Sequence, residues 1–252
     1  MTIIASAPPV QVEPHVDGAH SFLVTRRDLL TGRYERLGVL TQVPGGWDFR
    51  YFWDVTDRDE VRALPGIPVT GSVVHSEHLF PLFAQRVISP RRSDRSRVLA
   101  LLGLDDSATA FEILAHNGGR RFGDTIELTQ LPRTSEGGEE CMQFLVHGMR
   151  HRSAAEQVAV DSLSVGDGLL LVPEPDNPVD PEALLVTTAD GSALGWVPAP
   201  LLPLLDLGSD VRASVAHANG SDTPPHQRLL VELRGDLVRP GVLTSPAWRL
   251  VD

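Results

Sequence analysis

The side chains best suited to chemistry in this chain crowd into and around one run, Glu174 to Leu202, EPDNPVDPEALLVTTADGSALGWVPAPLL. Asn177 and Asp180 each stand next to a proline, where such side chains cap turns by accepting hydrogen bonds from nearby backbone N–H groups. Trp196, in Gly195-Trp196-Val197-Pro198, offers a flat ring either for packing or for stacking on a ligand. Upstream, Arg150 and His151 end an apolar stretch. A guanidinium fork binds planar anions and stacks on aromatic faces. The one dense basic group is Arg91, Arg92, Arg95 and Arg97, either a solvated helix face or the place for a phosphate or an acidic partner surface.

Catalytic and metal chemistry find less support. His75 and His78 lie three apart, and His147 and His151 four apart, spacings that suit a metal on a helix. His147 and His151 fall on an expected strand, however, and no Cys or carboxylate completes either set, so no metal and no cofactor are expected. No Ser/His/Asp or Cys/His arrangement has local support, and a non-catalytic protein is expected. The lone Cys141 has no partner for a disulfide and fits a reducing compartment.

The chain has 252 residues, 42% of them hydrophobic, enough for a real core and for one large or two ordinary domains. No apolar run is long enough to span a bilayer, and the first 20 residues lack a basic segment followed by a hydrophobic one, so a soluble cytoplasmic protein is expected. The net charge of −11 argues against indiscriminate polyanion binding. Residues 20–132 hold 14 Arg against 14 acids, whereas residues 142–236 hold 5 Arg against 13 acids. All 22 basic residues are Arg, which fits either anion recognition or biased codon usage.

Composition breaks divide the chain into an arm (1–19), a first domain (20–132), a linker (133–140, RTSEGGEE), a second domain (141–236) and a tail (237–252) in which Trp248, Leu250 and Val251 are able to dock back. In the first domain, Ser21 to Thr25, Arg36 to Gln42 and the alternating Trp47 to Phe52 read as strands. Short helices follow: one opened by His78 to Phe83, one over Ser93 to Leu102 closed by Gly103, and one capped by Asp106-Ser107 and running to about His116. Strands followed by a helical cluster make an α+β fold.

That order resembles the N-terminal subdomain of HipA-type kinases. The resemblance runs through ERLGVLTQVPGGWDFRY, LPGIPVTGSVVHSEHLFPLFAQRVISP and RSRVLALLGLDDSATAFEILAHNGGRRFGD. This chain departs at Ser89-Pro90-Arg91-Arg92 and in its more basic ending, Gly118 to Asp124. No kinase lobes follow, and without any Lys the usual phosphate-clamping lysine is absent. In split members of that family the subdomain is a separate polypeptide that docks on the kinase and restrains it. The resemblance therefore implies an antitoxin-like regulator whose partner is a separately encoded HipA-like kinase.

In the second domain a strand runs from Met142 to Arg150, an amphipathic piece covers Ala154 to Val160, and strands follow at Gly168 to Val172, Ala183 to Thr188 and Ala193 to Val197. Leu201 to Leu205 gives a helical turn, and a hairpin, Val211 to Ala218 with Arg228 to Arg234, ends the domain. Strands at this spacing suggest a small OB-like β-barrel, a kind that binds single strands by stacking bases on aromatics in a basic groove. EPDNPVDPEAL and GWVP make residues 142–236 resemble a HIRAN domain. The resemblance implies that Asn177 and Asp180 line a pocket reading the terminal 3′-hydroxyl of single-stranded DNA, with Asp180 accepting its hydrogen bond, and that Arg150 meets phosphate or a base. It also sets His151 where a DNA-binding relative has a stacking Tyr, Val179 on another aromatic position, Trp196 on a polar one, and Ala199 in place of a lysine. The expected function is an accessory protein recognising single-stranded 3′ ends or damaged DNA in a bacterial-type repair or defence system.

Overall fold

The computed structural model describes residues 20–57, 63–121, 123–135, 137–208 and 210–252. The expected arm at 1–19 and Phe122 of the basic ending lie outside these residues. Two antiparallel sheets and five short α-helices make up the described fold, in agreement with an α+β arrangement.

The first sheet contains β1 (His20–Arg27), β2 (Tyr34–Val43), β3 (Gly46–Tyr51), β4 (Val74–Ser76) and β5 (Ile126–Gln130), in the order β4-β3-β2-β1-β5. β3 shows why the sequence pattern was readable: Trp47, Phe49 and Tyr51 are buried while Asp48 and Arg50 between them are not, the period-2 signature of a strand. Between β3 and β5 come α1 (Trp53–Thr56), α2 (Pro81–Ala84), α3 (Arg95–Leu101) and α4 (Ala110–Asn117). The cap of α4 is not Asp106-Ser107 but Thr109, which forms a capping box with Glu112, and Gly118 at φ 65° ends the helix. Asp105, Asp106 and Ser107 are bonded instead to Ser96 and to one another in the preceding turn.

The second sheet contains β6 (Arg133–Thr134), β7 (Glu140–Leu145), β8 (Gly168–Pro173), β9 (Leu184–Thr188), β10 (Ala193–Trp196), β11 (Arg212–Ala218) and β12 (Leu229–Gly235). The order is β10-β9-β8-β11-β12-β7-β6, with α5 (Ala154–Ala159) between β7 and β8. The residues expected as a linker carry β6 and the turn of the β6–β7 hairpin, in which Ser135 N donates to Glu139 O at 2.8 Å.

The expected closed OB-like barrel is not formed: the sheet is an open ladder with β10 and β6 at its edges. The edge strand β10 meets the chain just past β7 at one isolated bridge, where His147 and Trp196 exchange two backbone hydrogen bonds of 2.9 Å each. The cause is local. β6 occupies the start of the outer edge of β7, pairing with Glu140 and Cys141, and Gly148 at φ 73° then turns the chain into a 3-10 turn over Met149–His151. Only His147 is left to meet the four-residue β10, itself bulged beside Gly195. The strand expected to reach Arg150 thus ends at Leu145.

One apolar cluster of buried residues runs through both halves, from Phe22 and Phe49 to Phe144, Val231 and Trp248. The tail seals the first sheet: Phe52 bridges Leu250, Val251 N donates to Tyr51 O at 3.0 Å, and the Trp248 ring meets Phe52 edge-on at 5.6 Å, with the Arg36 guanidinium 5.1 Å above it. Trp248 is 2% exposed. Trp248→Ala is expected to cost about 3–5 kcal/mol in denaturant unfolding, as for other large aromatics removed from cores; a loss below about 1 kcal/mol would mean that the tail is not part of the core.

Candidate functional site

The Pro/Asn/Asp run forms a tight knot between β8 and β9, organised by Glu174. The Glu174 carboxylate accepts a 2.6 Å hydrogen bond from the Trp196 indole N–H and a 2.9 Å bond from Asn177 Nδ2, and its carbonyl accepts from Asn177 N. Asn177 Oδ1 accepts from Val179 N and Asp180 N, and Asp180 Oδ1 accepts from Glu182 N at 3.0 Å. Both residues therefore serve as turn caps. Asn177 retains one side-chain N–H, and Asp180 retains Oδ2, for another partner. Val179, at the tip, is 90% exposed.

Trp196 is partly buried and covered on two sides. The Arg152 guanidinium sits 4.1 Å from its ring centre, and Gly148 lies so near that any Cβ there would collide with the ring. A base stacking on Trp196 must first displace Arg152. Arg150 and His151, on the 3-10 turn that follows Gly148, are exposed and bonded to each other, Arg150 Nε donating to His151 Nε2 at 3.0 Å. The structure thus links Asn177, Asp180 and Trp196 through Glu174, and hangs Arg150 and His151 from the turn that packs on Trp196.

Sequence reasoning missed the residues that hold this arrangement. Glu174 opens the knot but had no assigned part, and Arg152 is only two positions beyond Arg150. His147 was weighed as a metal ligand and instead clamps Trp196 through its backbone. Its ring is held from the first sheet: Arg120 Nη2 lies 3.3 Å from His147 Nε2 and 2.9 Å from Glu127, whose carboxylate is 3.8 Å from the same nitrogen. Burial, reinforced by Arg120, Arg27 and His226, pushes His147 down to about 3, so it is a neutral acceptor here. The Tyr34 ring lies 6.2 Å from the His147 ring, and burial with the Glu127 carboxylate raises its phenol to about 12. No spacing signal joins positions so far apart in the chain.

The basic group is largely engaged internally. Arg92 makes a bidentate pair with Asp94 at 2.8 and 2.7 Å, Arg97 reaches the same carboxylate, and Arg95 donates to the carbonyls of Ile88 and Ala108. Arg91 is exposed. His75 pairs with Asp48 at 2.7 Å, and among the described residues no three His, Cys, Asp or Glu converge as metal ligands. No helix of the described residues is long and apolar enough to cross a membrane.

Comparison with known proteins decides what the knot belongs to. Residues 140–234 match the HIRAN domain. The resemblance seen over 142–236 is thereby borne out for the second half of the chain. Among solved structures, the chain resembles a protein from Lactobacillus plantarum, 24% identical over 40% of this chain and 100% of that one with a TM-score of 0.30. It also resembles the HIRAN domain of human HLTF, 15% identical over 44% of this chain and 88% of that one with a TM-score of 0.29. No curated protein matches the chain.

Two pH responses follow. The hydrogen bonds from Trp196, then Asn177, hold the Glu174 carboxyl below its usual value of 4.5. Its depressed value means that the contact is complete above 4.5 and is lost as pH falls through the lower folded-state pKa. The Trp196 indole N–H resonance is expected to titrate below pH 4.5 and to stop titrating in Glu174→Gln; a midpoint at or above 4.5 would contradict the contact. For His147, the unfolded chain binds the proton more tightly below pH 6.5, so stability falls as pH drops from 6.5 toward 3, by at most about 1.4 kcal/mol per pH unit. His147→Gln is expected to flatten this limb, leaving the part due to His116 and His226, which burial also depresses. Equal slopes in both proteins would show that His147 is not buried neutral.

Proposed function

We propose that this protein binds single-stranded DNA by its free 3′ end at the Glu174 knot, as a binding protein rather than an enzyme. The observation that carries the reading is the HIRAN match over residues 140–234, joined to a knot in which Asp180 keeps one carboxylate oxygen without a hydrogen bond from the described residues. Asp180 Oδ2 accepts the hydrogen bond of the terminal hydroxyl, the remaining N–H of Asn177 donates to an oxygen of the same terminus, and exposed Arg150 takes a backbone phosphate. Val179 gives an apolar contact to a base. Arg152 leaves the Trp196 ring when a base replaces it, exchanging one stacked group for another.

The same arrangement sets the direction of discrimination. A terminal phosphate would bring negative charge against the Asp180 carboxylate, and it offers no neutral hydroxyl to donate. A repair or defence setting remains part of this proposal. The alternative, a regulator restraining a separately encoded HipA-like kinase, rests on the sequence resemblance of residues 20–132.

The test compares a labelled strand ending in a 3′-hydroxyl with the same strand ending in a 3′-phosphate. Hydrogen bonds to charged groups contribute about 1.5–3 kcal/mol, so the hydroxyl end is expected to bind at least about tenfold more tightly. Asp180→Asn keeps an oxygen for the Glu182 N–H, so it should erase that preference while leaving the melting temperature unchanged. Equal affinity of the wild-type protein for both ends would rule the reading out.

A further inference from the structure

We infer that the groove along the β1–β2 hairpin carries the phosphate backbone of the same single strand whose 3′ end sits at the knot. The inference rests on that reading of the knot, and it begins from a deficit. Phosphate contacts require cations, yet residues 142–236 carry 5 Arg against 13 acids, too few to guide a strand away from its end. The first sheet supplies them.

The β1–β2 loop is tied down. Asp28 N donates to Arg33 O at 2.8 Å, Gly32 N donates to Asp28 O at 2.9 Å, and Asp28 Oδ1 accepts from Leu30 N and Thr31 N at 2.8 Å each. It borders an open groove of about 680 Å³ whose wall includes Arg26, Arg27, Arg33, Arg36, Tyr34 and Leu29. Three acids also line it. Asp28 is engaged in its own turn and Glu35 lies 3.4 Å from Arg26, while Asp54 completes the set.

Arg27 and Arg33 are the cations that matter. Among the described residues Arg27 pairs with no acid; its guanidinium lies 6.0 Å from the Tyr34 ring centre and its Nε is buried without a hydrogen bond. Arg33 is exposed and pairs with no acid among the described residues. Beside them Leu29 and Leu30, 78% and 98% exposed on a fixed loop, present apolar surface of the kind that base faces cover.

Position joins groove to knot. Tyr34 lines the groove and lies 6.2 Å from the His147 ring, and His147 is bridged to Trp196 by two backbone hydrogen bonds. Trp196 and Tyr34 thus flank the same residue, and a strand leaving Trp196 is carried to the groove at Tyr34, with Arg27 and Arg33 ahead of it.

The experiment measures the salt dependence of binding for the full chain and for an Arg27→Gln, Arg33→Gln double variant, on 3′-hydroxyl strands of two lengths. On a strand of roughly 20 nucleotides, the slope of log K against log salt is expected to fall by about 1.4, from about 0.7 for each single-strand phosphate contact removed. A tetranucleotide, about the smallest site of a single-strand-binding domain, should show no change. An unchanged slope on the long strand, or an equal fall on the tetranucleotide, overturns the groove. A slope that falls while the wild-type protein ignores the 3′ group would sink the end-reading and keep the groove; binding of neither strand overturns both. Should the double variant melt early, the exposed Arg33→Glu alone must still lower the long-strand slope.

Discussion

The double hydrogen bond between the backbones of His147 and Trp196 is the constraint on which the rest of this molecule turns. Among the described residues it is the one isolated bridge that ties the edge strand β10 to the chain leaving β7, and it sets sharp conditions on its neighbours. Gly195, at φ 140°, must lack a side chain because a Cβ would strike the His147 carbonyl oxygen, and Gly148 must lack one because a Cβ would strike the Trp196 ring. With Trp196 fixed, Glu174 has an indole N–H to hold, and through Glu174 the knot acquires its shape. A chain of specific contacts thus runs from Arg120 and Glu127 of the first half, through His147, to Asn177 of the second.

This continuity changes what the two halves mean for each other. They share one apolar core, α4 packs on β7, and Leu101 O accepts hydrogen bonds from Asn219 and His217 across the boundary. The first half is therefore the wall against which the knot is built. On this view the acidic character of residues 142–236 is no obstacle to a nucleic acid, since arginines on the neighbouring sheet lie one aromatic contact away. It also favours a ligand met at an end and then laid across the protein over one drawn in by bulk charge.

Much of the fold was readable because local physics repeated itself. The alternation of Trp47, Phe49 and Tyr51, Gly103 just past the end of α3 and the strands flanking the knot all carry their signals within a few residues. Errors arose where two local signals competed or where the deciding partner is distant in sequence. RTSEGGEE has the composition of a linker, and it forms a hairpin because Cys141 and Glu140 of β7 offer Arg133 and Thr134 an edge. Met142 to Arg150 reads as one strand, and Gly148 ends it early because the bridge to Trp196 needs the chain to turn. Asp106 and Thr109 are both competent caps, and the helix chose the one whose third neighbour is Glu112. The knot itself was legible by residue type, whereas its hub, Glu174, and the covering Arg152 became visible only with the contacts 22 and 44 positions away at Trp196.

Amide hydrogen exchange at His147 and Trp196 tests this view most directly, because each amide donates one of the two hydrogen bonds that tie β10 to the chain leaving β7. If the bridge holds both the knot and the two halves in place, these amides exchange only through the large openings that expose the central strands, as slowly as Phe144 and Val231. Exchange at the rate of a fraying edge strand, while Phe144 and Val231 stay protected, would contradict it and would leave the knot without its support.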